Sequence, residues 1–331
     1  MRVLITGGTG FVGAHTVEAL IAAGHEPRLL VRNPKRLPQQ DLDHVVGDAT
    51  DRDVVARALE GMDAVVHGAS VVSLNIRDAA RVLDVNRTAA EVVLRQAVDL
   101  GLDPVVHVSS LSALMPAEPG GVIDRDAPVS TAPGTYARSK AAAEQIARDL
   151  QDGGAPVVTT YPSMVMGPRD PNMGEGMTAY RNLLRGRTPA MPPGGIHVID
   201  VRDVAAVHTA ALEPGRGPRR FLVTGHHMTA AETLDHLRAL TGRSIRVAWL
   251  PTGLVHAGGR VADAVQRVVP VRIPVSYEMV TSLTADPRCD DEATRRDLGL
   301  EYRPLDETII DVVRWMVEEG LVSKAQAGRL A

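Results

Sequence analysis

The stretch "RVLITGGTGFVGAHTVEAL", residues 2–20, decides the fold. After Arg2 the chain is apolar and β-branched through Thr6, as a strand buried on both faces requires. Gly7, Gly10 and Gly13 follow at G-x-x-G-x-x-G spacing, and helical spacing of apolar residues begins at Phe11. A strand that turns tightly through glycines into a helix lets backbone approach a pyrophosphate and aims the helix amides at it. Thr9, Phe11 and Val12 complete the candidate cradle. The glycines alone also fit a merely flexible turn. Their place at the head of a strand–helix–strand pattern favours a nucleotide site.

Outward from this stretch the two periods keep alternating. Short apolar runs lie at 2–6, 28–32, 44–47, 63–67, 104–108 and 156–161, with helical spacing at 11–23, 51–60, 77–100 and 135–152. This predicts an α/β chain with a Rossmann-like, doubly wound parallel sheet. Past Tyr161 the rhythm breaks. Residues 164–195 hold five of the eleven methionines and read as a long loop carrying one helix near 176–186. Strands at "GIHVID" and "RRFLVTG" flank a helix at 201–212, and helices at 229–241 and 251–268 flank a strand at 245–249. The expected division is a nucleotide-binding domain over 1–163 and a smaller mixed substrate region over 164–331, with 196–225 returning to the main sheet.

The 331 residues carry a formal net charge of −4, with 44% apolar and 23% charged residues. A sizeable core is therefore affordable, and no basic footprint for nucleic acid or an anionic membrane is present. No run approaches the ~20 apolar residues of a membrane span, and no leader pattern is visible, so a cytoplasmic protein is expected. Cys289 is the only cysteine, which excludes an intrachain disulfide. The eleven histidines show no H-E-x-x-H spacing. His226 and His227 are adjacent and read as a loop, so no metal is expected.

The end of the second run chooses the nucleotide. A site for NAD places an acid there, on the ribose 2′-hydroxyl. This chain has "VRNPKR" instead, and the Arg32 guanidinium suits a 2′-phosphate. NADP is expected, with NAD possible; a solvated basic turn is the bland alternative. In "GDATD", Asp48 with Ala49 either faces the adenine or makes a turn, and Asp51 is a candidate helix cap. Gly68, Ala69 and Ser70 end the fourth run with small residues, as a strand end under a cofactor needs.

"GTYARSKAAAEQ", residues 134–145, puts Tyr136 and Lys140 one helical turn apart. Thr135 is the expected cap, and Gly153 and Gly154 the stop. A nearby ammonium lowers a phenol from its ordinary pKa near ~10, so the pair is a candidate acid/base unit. Ser109, Ser110 and Ser112 leave the fifth run at the sheet's carboxyl edge, the usual ligand crevice. The methionines fit either an adaptable apolar pocket or core filling.

Taken together, "TGGTGFVG", "HVSS", "YARSK" and "YPSMVMGP" resemble the extended short-chain dehydrogenase/reductase superfamily, of the NAD-dependent epimerase/dehydratase type. The C-terminal "RCDDEATRRDLGLEYRPLDETIIDVVRWM" is similar to its dihydroflavonol-reductase-like and sugar-epimerase-like members. The resemblance covers nearly the whole chain. It implies a catalytic set of Ser110, Tyr136 and Lys140, with Asn86 matching an asparagine found in many members. Tyr136 would be the acid/base, and Lys140 would hold the nicotinamide ribose. Tyr161 and Ser163 would lie beside the nicotinamide, and Ser112, Met164 and Met173 beside a small-molecule substrate. A homodimer is implied through two long helices. "ALM" stands where many epimerases carry "VYG", which weakens a sugar-epimerase assignment. Three functions follow: an NADP(H)-dependent carbonyl reductase or alcohol dehydrogenase acting on a mainly hydrophobic substrate, a nucleotide-sugar epimerase or dehydratase, and an NADP-sensing regulator. A sensor need not keep Ser110, Tyr136 and Lys140.

Overall fold

Strand β1 (Arg2–Thr6) turns through the glycines into helix α1 (Phe11–Ala22), and β2 (Glu26–Val31) lies parallel beside β1, Leu4 opposite Arg28. The alternation continues with β3 (His44–Val46), α2 (Arg52–Leu59), β4 (Ala64–His67), α3 (Ala79–Asp99) and β5 (Val105–Val108). The short β6 (Val122–Ile123) precedes α4 (Thr135–Asp152) and β7 (Val157–Pro162). These elements come from a computed structural model, which describes residues 1–73, 76–115, 121–188, 190–269 and 276–331.

Beyond β7 come β8 (Met164–Met166), α5 (Glu175–Leu184), β9 (Ala190–Met191), β10 (Gly195–Asp200), α6 (Val201–Ala210) and β11 (Arg219–Val223). The main sheet has seven strands in the order β11-β7-β5-β4-β1-β2-β3, and its pairings are all parallel. Neighbouring strand residues face opposite layers. Leu4, Val65, Val105 and Val157 pack into one core with Val55 and Leu59 of α2 and Val93 and Leu94 of α3. Val3, Val66, Val106 and Val158 pack into the other with Val17 and Leu20 of α1 and Val204 and Val207 of α6. That is why the strands read as unbroken apolar runs. Each such buried Val or Leu contributes about 1.5–3 kcal/mol of transfer free energy.

The region past β7 differs from the expected loop. Met164–Met166 is a strand because it pairs in parallel with β10, which also takes β12 (His226–Thr229) antiparallel, His197 opposite His227. "GHH" is thus partly strand. Of 196–225, only β11 joins the main sheet; β10 belongs to a separate sheet in the order β12-β10-β8. Residue 189, within the expected loop, lies outside the described residues. Met166 and Met177 are core residues of a second cluster with Leu234, Ile309 and Met316, and Met164 and Met173 pack against it. The methionines therefore fill core.

The chain ends with α7 (Ala230–Thr241), β13 (Ala248–Trp249), α8 (Thr252–Val268), α9 (Tyr277–Ala285), β14 (Arg288–Cys289), α10 (Glu292–Leu298), α11 (Leu305–Glu318) and α12 (Lys324–Ala327). Two short pairings tie this end back, β13 to β9 and β14 to β6. Within the main layers, His208 of α6 ties α1 to β7. It is fully buried, with Nδ1 2.9 Å from the Thr16 hydroxyl of α1 and Nε2 3.2 Å from the Thr160 hydroxyl of β7. Among the described residues no helix is long and apolar enough to cross a membrane.

Candidate active site

The crevice lies past the carboxyl ends of the neighbouring strands β1 and β4. Gly7 has φ +79°, and a Cβ there would come within 2.7 Å of the Gly68 carbonyl carbon. Gly13 packs so closely that its Cβ would meet the Gly7 oxygen at 2.1 Å. Only glycine fits either place. Helix α1 starts at Gly10 with no side-chain cap and no acid in its first turn. Its first amides are therefore left for a ligand, and the arrangement fits a pyrophosphate. The Thr6 hydroxyl accepts from the Ala69 amide at 3.1 Å and lies 2.8 Å from His67 Nδ1, which ties the β1 and β4 turns together. Gly68 and Ser70 are exposed along this edge, with Ala69 partly buried between them, and Thr9, Phe11 and Val12 are partly buried on the α1 side.

Arg32 stands exposed past the end of β2. Asp48 is turned inward: one carboxylate oxygen accepts from the Thr50 amide at 3.0 Å and the Thr50 hydroxyl at 2.8 Å. Those bonds, with the Arg32 charge, hold its carboxyl below the ordinary range. Asp48 is thus a turn residue in the first place. Ala49 packs against the core, and Asp51 caps α2 through the Asp53 and Val54 amides.

Tyr136 and Lys140 share one face of α4, with the Lys140 ammonium 5.9 Å from the phenol ring centre. The Ser110 hydroxyl is near enough to the Tyr136 phenol to favour its ionised form, and its Oγ accepts from the Ser112 amide at 3.2 Å. The Lys140 ammonium donates to the Val108 carbonyl at 3.3 Å. The protein thus brings Ser110, Tyr136 and Lys140 together. The expected lowering of the phenol is overturned. Burial pushes Tyr136 up, as does the Glu278 charge, and the nearby Ser110 hydroxyl opposes them only in part. Lys140, only 6% exposed, is itself pushed down to about 8 by burial, against the pull of Glu144.

Three expectations change. Thr135 does not cap α4; Gly134 holds that place and offers no side chain. Instead, the Glu278 carboxylate of α9 accepts from the Tyr136 amide at 3.2 Å and the Ala137 amide at 2.8 Å. Asn86 is a clamp: it accepts from the Val71 amide at 2.7 Å, and its amide donates to the Val71 carbonyl at 2.9 Å and Ser139 Oγ at 3.2 Å. Tyr161 is fully buried among Leu111, Leu114, Ile123 and Leu222. Its hydroxyl donates to Glu144 at 2.6 Å, so its side chain faces the core, away from the crevice. Ser163 donates to the Thr224 carbonyl at 2.9 Å.

The sequence reading missed Glu144 and Glu278. Glu144 is fully buried one turn beyond Lys140, and Arg148 donates to it at 3.0 Å. The i, i+4 spacing from Lys140 was the signal available for Glu144. For Glu278 the signal was negative: a glycine before "TYARSK" with no capping side chain.

A cavity of about 220 Å³ lies between the start of α4 and helices α8 and α9, lined by Ile76, Ser112, Met115, Thr135 and Glu278 among others. A more polar cleft of about 470 Å³ lies elsewhere, around Arg125, Arg216 and Arg220, and holds none of the crevice residues. The adjacent histidines are engaged: His226 Nε2 lies 2.8 Å from the Arg303 carbonyl and His227 Nε2 2.6 Å from Asp286.

Residues 3–224 match the model of the NAD dependent epimerase/dehydratase family. The chain is 31% identical to sterol demethylase protein B of Methylococcus capsulatus over 97% of its own length and all of that protein. It is 30% identical to a putative dihydroflavonol 4-reductase of Synechocystis, covering 96% of this chain and 95% of that one. Its backbone superposes on a nucleoside-diphosphate-sugar epimerase from Pseudomonas aeruginosa with a TM-score of 0.78 at 21% identity, over 98% and 99% of the two chains. The chain belongs to the NAD dependent epimerase/dehydratase family, enzymes of the extended short-chain dehydrogenase/reductase type.

Proposed function

We propose that this chain is an NADP(H)-dependent oxidoreductase that reduces a carbonyl, or oxidises the matching alcohol, of a small and mainly hydrophobic substrate. The observation that carries the reading is the grouping of Ser110, Tyr136 and Lys140 at the carboxyl edge of the sheet. Gly7, Gly10, Gly13 and the start of α1 would hold the pyrophosphate, and Arg32 the 2′-phosphate. When bound, the nicotinamide supplies or accepts a hydride. Tyr136, pushed up by burial, keeps its proton at neutral pH, the form that can donate to a carbonyl oxygen. Ser110, close to the phenol, would orient it. Lys140, with a pKa of about 8, is charged at pH 7 and would serve the ribose.

The apolar lining of Ile76, Met115 and Ala132 supports a hydrophobic substrate. The relatives named for a sterol and a dihydroflavonol point the same way. Arg169, a candidate for gripping a second pyrophosphate, is spent on a two-pronged pair with Glu18, 2.7 Å on each side. A second reading, a nucleotide-sugar epimerase, draws on Arg181 of α5, whose buried Nε has no hydrogen-bond partner among the described residues.

A panel of carbonyl compounds with NADPH and NADH tests the first reading, and thermal shift with UDP- and dTDP-sugars tests the second. Turnover of an apolar ketone with NADPH is expected. Strong stabilisation by a nucleotide sugar, with no carbonyl turnover, would replace the first reading by the second.

A further inference from the structure

We infer that Glu278 is a positioning residue for Tyr136: its carboxylate, delivered from the first turn of α9, completes the start of the helix that carries the acid/base group. Two independent observations carry this. The first is the pair of hydrogen bonds from the Tyr136 and Ala137 amides, 3.2 and 2.8 Å. A helix start leaves four amides without partners, and a carboxylate there is doubly favoured, by the bonds and by the helix dipole. The second is Gly134. A Cβ at that position would sit 2.2 Å from Glu278 Cδ and 2.4 Å from Oε1, and the three nearest atoms all belong to Glu278. Gly134 has an ordinary extended backbone, φ −60° and ψ 150°. The space beside Gly134 is therefore taken by the Glu278 side chain in its bonded position, and backbone strain plays no part.

Glu278 also lies in the first turn of its own helix, whose cap is Ser276. One carboxylate thus faces two positive helix ends. It sits on the wall of the 220 Å³ cavity, with Gly134, Thr135 and Ala137 on the α4 side and Asp263 and Arg267 of α8 on the other. Asp263 and Glu175 of α5 are the acids coupled to it. The start of the helix that carries Tyr136 is then held by a residue 142 positions away, whose charge adds to burial in raising the phenol.

This rests on the reading of Tyr136 as the acid/base group, so the test uses no substrate. The Tyr136 titration is followed by phenolate absorbance, with Tyr136→Phe as the blank. Glu278→Gln keeps the shape and removes the charge, so the titration should move down. A thermal double-mutant cycle reads the fit. Gly134→Ala should lower the unfolding midpoint more in the wild type than in Glu278→Ala, where the clash is gone and only the ordinary cost of alanine at a helix cap is left. An unmoved Tyr136 titration in Glu278→Gln, or an equal drop from Gly134→Ala in both backgrounds, would overturn the inference. A carbonyl panel without turnover leaves both readouts intact, so failure of the proposed reaction is a separate result.

Discussion

Helices α1 and α4 both begin on a glycine and lack a capping side chain of their own. At α1 no side chain among the described residues takes the place of the cap. At α4 a carboxylate from the far end of the chain fills it. The same local sign in sequence therefore has two meanings: an end kept open for a ligand, and an end closed by a remote residue. What separates them is the neighbourhood. Gly13 and Gly7 press backbone against backbone, whereas Gly134 makes room for a side chain.

The comparison breaks most visibly at the α4 end. Tyr136→Phe keeps the ring and deletes the hydroxyl, so turnover on a verified substrate should fall roughly 10²–10⁴-fold, while NADPH affinity from titration stays unchanged. Retained turnover would make α4 scaffold alone. At the α1 end the reverse separation is expected. Gly13→Ala forces a backbone shift against the Gly7 oxygen, and overpacking of this kind costs about 1–3 kcal/mol. NADPH binding should weaken by roughly ten- to a hundredfold, as fluorescence titration would show. Arg32→Asp sharpens what the open end accepts. Losing a charge-assisted contact worth ~1.5–3 kcal/mol should reverse a preference for NADPH over NADH, and equal wild-type affinities would sink the assignment.

A further effect concerns stability. Lys140 falls from 10.5 to about 8 on burial. The unfolded chain then binds more protons between those values, so wild-type stability should rise with pH from about 8 to 10.5, by up to ~1.4 kcal/mol per pH unit. Below pH 8 the full penalty is present. Lys140→Met should remove the slope and raise the melting midpoint at pH 7 while activity is lost. Melting curves at pH 7 and 9 check both signs.

How much was legible follows the range of each interaction. The cradle and the first strands and helices depend on neighbours in sequence and on two-sided burial, and both leave a pattern. Asp51 as a cap was readable for the same reason. Glu278 was not, because its partners stand 141 and 142 positions away. Asn86 and Tyr161 share a different problem. Their places in the motif order were clear, but a motif does not say which way a side chain turns, and one clamps Val71 while the other faces Glu144. The strand at Met164–Met166 stayed hidden because methionine-rich sequence carries no period-2 signal; only pairing with β10 makes it a strand.

The threading of β11 bears on how the chain can be made and cut. The strand that borders β7 is synthesised after a detour of 56 residues, from 163 to 218. Until residue 223 has left the ribosome, β7 offers a bare parallel edge to any passing strand, and the Thr16 and Thr160 hydroxyls wait for His208. A fragment ending at residue 163 should therefore aggregate rather than fold as a free nucleotide-binding unit. The shortest piece able to close its own sheet runs to the end of β11.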